Sequence, residues 1–213
     1  MRPMHLETFA VGAFQCNCTI LGDQASGKAI VIDPGDEADA IMARLDKAGL
    51  EPVVLFHTHA HLDHYMATRR LKERYPQARV LLHEADMPLW EATQTQARMF
   101  GFRAQDPEAP DAHPDHLALL VAGSISATVL HTPGHTPGSC CLHVPEAELV
   151  CAGDTLFRRS VGRTDLWGGS APTLARSIRE QLYDLPGETR VISGHGPGTT
   201  IGEEREQNPF VVR

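Results

Sequence analysis

Residues 57–64 of the chain read HTHAHLDH, four histidines and one aspartate within eight positions. His59 and His61 are two apart, so on extended backbone both rings leave the same face. His61 and His64 are three apart and come together if the chain turns helical there. Imidazole and carboxylate in one cluster suit zinc, iron or manganese rather than calcium. The run H-x-H-x-D-H therefore reads as a metal-ligating segment with His59, His61, Asp63 and His64 as donors, in preference to a patch of surface histidines. His57 is left out because it belongs to the strand that precedes the cluster.

A metal cage needs side chains converging from several directions, so the remaining donors must come from other strand ends. Three residues qualify: His135 in HTPGHTPGS, held between two Pro-Gly turns; Asp154 in CAGDTLF, after a strand; and His195 in SGHGPG, between glycines that admit close backbone approach. Each alone is an ordinary turn or capping residue. Their order along the chain, together with H-x-H-x-D-H, points to one site.

The elements that must carry these residues follow from periodicity. LETFAVG, CTILGD and KAIVIDPG read as three strands joined by turns, and PVVLF as a buried strand that runs into the histidine cluster. DEADAIMARLDKAG is an amphipathic helix with Ile41, Met42 and Leu45 on one side and Gly49 as its stop. HYMATRRLKERYP predicts a helix, RVLLH a strand and ADMPLWEATQTQARMF a second helix. Residues 101–116, rich in Pro, Asp and Ala without a period, predict an insertion loop. SISATVLHTPGH, SCCLHVP and ELVCAGDTLF restore strands. APTLARSIREQLYDL is the clearest helix, with Leu174, Ile178, Leu182 and Leu185 at helical spacing; TRVISGHGPG is a last strand and loop, and GEEREQNPF a short helix. Both halves give strands and then a helix, with ligand-type residues at strand ends. That pattern predicts two sheets face to face with helices outside, in a single α/β domain over residues 1–213.

Composition narrows the function classes. Hydrophobic residues make up 42% and charged residues 22% of the 213, ordinary globular usage. The formal charge of -8, with no basic cluster, argues against a nucleic-acid partner. No apolar run approaches the roughly 20 residues of a membrane span, and MRPMHLETFAVG lacks the apolar core of a signal peptide, so no membrane association and a cytoplasmic location are expected. Cys16, Cys18, Cys140, Cys141 and Cys151 lie mostly in strand-like runs outside C-x-x-C spacing, which predicts reduced, buried thiols.

Through THAHLDH, HTPGHTPGS, AGDTLF and SGHGPGTT the chain resembles the metallo-beta-lactamase superfamily along essentially its whole length. It is most similar to the short bacterial form of the glyoxalase II (hydroxyacylglutathione hydrolase) branch, through GRTDLWGGS and GHGPGTTIGEEREQNPF. The resemblance implies a four-layer αββα sandwich carrying two divalent metal ions, zinc before iron or manganese. His59, His61 and His135 would hold the first ion; Asp63, His64 and His195 the second, with Asp154 bridging. It further implies a zinc-dependent thioester hydrolase in which a metal-bridging hydroxide, oriented by Asp63 as catalytic residue, attacks the thioester carbonyl and a thiolate leaves. The bridging Asp154 separates this branch from the lactamases and disfavours antibiotic lactams.

The substrate implied is a small-molecule thioester, glutathione-linked in the long members. Those members grip glutathione with basic residues of an extra helical domain, whereas here residues 196–213 follow the last ligand and are acidic on balance. Arg163 in GRTD is a candidate substrate contact and equally an ion-pair arginine. Loop 101–116 is a candidate cover for the site, with His113 and His116 as exposed loop residues. Asp33 in IDPG is either an Asx turn or the residue that orients a ligand histidine. Persulfide dioxygenases share the H-x-H-x-D-H stretch and a GRTD segment, and imply instead one Fe(II) held by His59, His135 and Asp154. The glycine setting of His195 in SGHGPG favours the hydrolase. The oligomeric state is left open.

Overall fold

The computed structural model describes residues 4–212. Residues 1–3, the head of the segment read above as lacking a signal peptide, and Arg213 lie outside the described residues. In the first half, β1 (Met4–Val11), β2 (Cys16–Asp23) and β3 (Lys28–Ile32) form an antiparallel meander. Helix α1 (Ala38–Ala48) follows and ends at Gly49 in the left-handed conformation, φ 66°, as the sequence predicts. Strand β4 (Glu51–Phe56) pairs parallel with β3; α2 (Thr68–Arg74) returns the chain to β5 (Arg79–Leu81), parallel to β4. The sheet order is β1-β2-β3-β4-β5.

Two short helices, α3 (Met87–Glu91) and α4 (Thr93–Met99), lead into the loop that precedes β6 (Leu119–Ala122). The second half continues with β7 (Ile125–His131), β8 (Cys140–Val144), β9 (Leu149–Gly153), the small hairpin β10 (Leu156–Phe157) and β11 (Ser160–Val161), and α5 (Ala171–Ser177). It closes with β12 (Arg190–Ser193), β13 (Thr199–Thr200) and α6 (Ile201–Gln207). The second sheet runs β13-β12-β9-β8-β7-β6.

Alternation of side chains along each strand assembles the layers. Ile30, Ile32, Val54 and Phe56 point inward against Val129, Leu142, Leu149 and Cys151 of the other sheet, forming the central core. Their neighbours Val31 and Leu55 face Ile41, Leu45, Leu71 and Trp90 of the helices outside the first sheet. Cys141, Val150 and Val191 face Leu174, Ile178, Leu182 and Ile201 outside the second. Strands covered on both faces read as continuous apolar runs, which is why IVI and VVLF carry no polar alternation. The four-layer αββα sandwich expected from the sequence is the fold observed.

Local differences have local causes. The helix predicted over ADMPLWEATQTQARMF is instead α3 and α4, because the Thr93 hydroxyl donates to the Trp90 carbonyl at 2.6 Å and interrupts the backbone ladder. The helix predicted from His64 onward shortens to α2, because a single 3-10 turn, Leu62–His64, precedes it. Beyond α5 the chain continues as a π-type turn over Ile178–Leu182 that keeps Ile178 and Leu182 buried. Strand β6 was not expected; it pairs antiparallel with β7 at the sheet margin. Among the described residues no helix is long and apolar enough to cross a membrane.

Candidate metal centre

All seven predicted donors meet at one edge of the sandwich, past the C-terminal ends of β4, β7, β9 and β12. They fall into overlapping groups. His59, His61 and His135 form one, and Asp63, His64 and His195 another. His59 and His64 also form a group with Asp154, which lies between the first two. His135 Nε2 is 3.2 Å from His59 Nε2 and 2.9 Å from His61 Nδ1. His64 Nε2 is 3.3 Å from His195 Nε2. Asp154 Oδ2 is 3.6 Å from His135 Nε2, while its Oδ1 is 3.6 Å from His64 Nε2 and 3.7 Å from His195 Nε2.

The far side of each ring explains which nitrogen faces inward. His135 Nδ1 donates to the Arg163 carbonyl at 2.8 Å, His195 Nδ1 to the Phe14 carbonyl at 3.0 Å and His64 Nδ1 to Asp33 Oδ2 at 3.0 Å. Thr58 Oγ1 donates to Asp33 Oδ2 at 2.7 Å, which leaves its lone pairs to accept from His59 Nδ1 at 3.0 Å. With Nδ1 as donor, the neutral form of each of these rings presents an Nε2 lone pair to the interior. Lone pairs facing each other at such distances repel unless a cation lies between them, and two nitrogens on one tetrahedral zinc sit about 3.3–3.4 Å apart. Asp154 Oδ1 is buried without a hydrogen-bond partner among the described residues. A donor set of imidazole nitrogens with one orphaned carboxylate oxygen fits divalent cations.

The two outer groups differ electrically. Burial holds His59 well below the ordinary imidazole range and His61 down at about 3, with neighbouring imidazoles adding to the effect. Burial lowers His135 as well, so this cluster is neutral and ligand-ready. Burial also opposes charge on His64, but Cys16, Asp63, Asp33 and Asp154 outweigh it and raise its pKa well above the ordinary value. His195 is raised too: burial works against it, and the hydrogen bond to Asp63 and the field of Asp154 prevail. Burial opposes ionisation of Asp63, but His64 and His195 hold its carboxyl well below the usual range; Asp63 Oδ2 lies 3.2 Å from His195 Nε2.

Residues outside the predicted set hold the donors in place. Asp86, fully buried, accepts from Ala60 N at 2.9 Å and Thr136 Oγ1 at 2.8 Å through Oδ2, and from Gly138 N at 2.6 Å through Oδ1. One carboxylate thereby ties the His59–His61 backbone to the loop of His135. Gln96 on α4 clamps the same run, its Oε1 accepting from Leu62 N at 3.0 Å and its Nε2 donating to the Ala60 carbonyl at 3.0 Å. Asn17 Nδ2 donates to the carbonyls of Ser193 and Gly196, each at 2.9 Å, on either side of His195. Sequence reasoning missed all three, since nothing around HEAD, TQTQ or QCNC distinguishes them from ordinary polar residues. Gly194 is required by contact: a Cβ there would sit 2.1 Å from Asp154 Oδ1 and 2.8 Å from His64 Cε1.

Other predicted residues take quieter places. Asp33 does orient His64 and also accepts from Thr58 N at 2.8 Å. His57 stays outside the cluster, buried, with Nδ1 donating to the Leu81 carbonyl and Nε2 accepting from Thr68 Oγ1; burial lowers its pKa to about 4. His113 and His116 are exposed loop residues, as expected. Arg163 borders the cavity over the donors, but Asp165 holds its guanidinium in a bidentate pair at 2.7 and 2.9 Å. The cavity has a volume of about 360 Å³.

Comparison with known proteins places the chain in a family. A family model described as the metallo-beta-lactamase superfamily matches residues 11–195. A hydroxyacylglutathione hydrolase, GloC, of Haemophilus influenzae is 38% identical, over 98% of both chains. Among solved structures, BLEG-1 B3 metallo-beta-lactamase superposes with a TM-score of 0.91 at 33% identity, covering 98% of this chain and all of that one. TTHA1623 in a di-iron-bound form gives 0.88 at 38% identity, covering 96% and 100%. ETHE1 from Myxococcus xanthus gives 0.81 at 28% identity, covering 97% and 84%.

Proposed function

The chain belongs to the metallo-beta-lactamase superfamily, and on that footing we propose that it is a dinuclear thioester hydrolase of the hydroxyacylglutathione hydrolase type. His59, His61 and His135 would hold one divalent ion and Asp63, His64 and His195 the other, with Asp154 shared. The observation that carries this reading is Asp154: one oxygen faces His135 and the other, orphaned, faces His64 and His195. A carboxylate so divided could serve two cations. Zinc is the first choice of metal; the di-iron form of TTHA1623 keeps iron in play.

Bound ions supply Lewis acidity toward a carbonyl oxygen and a water of lowered pKa. The chain supplies the rest. Asp63, ionised and partly open to the cavity, would accept a hydrogen bond from the attacking water and orient it. The thiolate leaves without a general acid because a thiol is acidic enough to depart as an anion. No cysteine is free for covalent catalysis: all five are buried, and burial pushes Cys16 up to about 12 and Cys141 to about 11. Reduced, buried thiols also support a cytoplasmic setting. We read the chain as one domain because both sheets contribute donors to one centre.

A second reading rests on the ETHE1 neighbour and on the convergence of His59, His135 and Asp154, which also suits a mononuclear-iron persulfide dioxygenase. His195 weighs against it. Its Nε2 lies 3.3 Å from His64 Nε2 and 3.2 Å from Asp63 Oδ2, a second donor group for which a single iron on His59, His135 and Asp154 has no use. The likeness to BLEG-1 runs against the expectation that lactams are excluded. The deciding experiment is elemental analysis with three assays: S-lactoylglutathione hydrolysis, oxygen uptake on glutathione persulfide, and cephalosporin hydrolysis. Two ions per chain with thioester turnover is the expected result. A single iron with oxygen uptake, or lactam turnover exceeding thioester turnover, overturns it.

A further inference from the structure

The floor and the rim of the cavity have opposite chemistry. The floor is the donor cluster. The rim is apolar and comes from three separate segments: Phe14 after β1, Met99 and Phe100 at the end of α4, and Leu166 and Trp167 from GRTDLWGGS. Met99 is 69% exposed, Trp167 55% and Phe100 47%. Scattered exposed apolar side chains are ordinary, but large ones gathered around one opening mark a binding surface. They are also pre-arranged: the Phe14 ring lies 5.3 Å edge-on from Phe100 and 5.5 Å from Phe102. Aromatic rings so fixed lose little freedom on binding.

Charge separates the classes of ligand this rim can take. A peptide thiol such as glutathione carries two carboxylates and an ammonium, and needs cationic partners away from the reacting carbon. Arg163 is the one Lys or Arg among the described lining residues, and Asp165 already pairs with the Nε–Nη2 edge of its guanidinium. Among the described lining residues the rim offers contact area and no Lys or Arg without a carboxylate partner.

We propose that this rim selects thioesters bearing an uncharged alkyl or aryl group over thioesters of an anionic peptide thiol. For its reaction the inference rests on the hydrolase reading; for its binding it does not. The apolar arm lies against Trp167 and Phe100, placing the thioester carbonyl over the donor cluster below.

The test is calorimetric titration of the metal-loaded protein with two non-hydrolysable thioethers, N-acetyl-S-benzylcysteamine and S-methylglutathione. The benzyl compound is expected to bind at least about tenfold more tightly, as burial of one ring implies. Trp167→Ala and Phe100→Ala, both at exposed positions, should each remove most of that margin while Trp167→Phe retains it and metal content holds. Tighter binding of S-methylglutathione, or a margin untouched by both alanine variants, overturns the proposal. Turnover of S-benzyl thioacetate against S-acetylglutathione then separates the two readings. Benzyl binding without turnover of either thioester sustains the rim and sinks the hydrolase, whereas faster turnover of the glutathione thioester sustains the hydrolase and sinks the rim.

Discussion

The two halves of the sandwich contribute to the centre in different ways. The first half delivers His59, His61, Asp63 and His64 from one loop after β4, so four donors share a few peptide units and one 3-10 turn. The second half delivers His135, Asp154 and His195 from three loops after β7, β9 and β12, each carrying one donor. A dense loop is positioned once; dispersed donors must be positioned one at a time. The hydrogen bonds follow that difference. Asp86 reaches across to the His135 loop, Asn17 to the His195 loop, and Gly194 leaves Asp154 the space it occupies.

Predictions test that contrast. The largest effect is expected at the donor shared between the clusters: Asp154→Asn should lower thioester turnover by more than about a hundredfold and reduce the metal content, read by elemental analysis. An active, fully loaded variant would remove the bridging role. Asp86→Asn should weaken one ion by about ten- to a hundredfold while sparing the other, because a positioning residue acts through the ligands it holds. Competition with a chromophoric chelator reads this, and equal loss of both ions would mean that the straps are not specific to one cluster.

Asn17→Ala should show the reverse selectivity, with a loss of about tenfold confined to the cluster of His195. Acid should also discriminate. His59, His61 and His135 are already neutral, whereas His64 and His195 hold protons more tightly than ordinary imidazoles. As pH falls, protons therefore compete first for the His64–His195 cluster. Dialysis in steps from about pH 8 to about pH 5 should release one ion per chain before the other. The smallest effect belongs to His113→Ala and His116→Ala, which should change turnover by less than about twofold, since both lie exposed on the loop.

Much of this was legible beforehand. The apolar runs of β3, β4 and β9 are continuous because both faces are covered, and α1 announces its own end with Gly49. What stayed hidden depended on partners distant in the chain. Nothing near Thr93 warns that its hydroxyl will take the Trp90 carbonyl and divide a helix. Nothing in HEAD marks Asp86 as a buried acceptor for backbone from both halves. Residues 117–122, LALLVA, are an unbroken apolar run, and only the tertiary structure shows that it pairs at a sheet margin with Leu119 and Val121 exposed.

Donor chemistry belongs to the sequence alone: which side chains can ligate a metal, and that an H-x-H-x-D-H run crowds four of them together, follow from covalent structure and local spacing. Allocation belongs to the tertiary structure. His61 and His64, three residues apart, enter different clusters; His57, two residues before His59, enters neither; Arg163 reaches the cavity paired along one edge with Asp165. Spacing along a chain governs only what lies within a turn or two. Which lone pairs face one another is set by where packed sheets end and by what each ring bonds behind it.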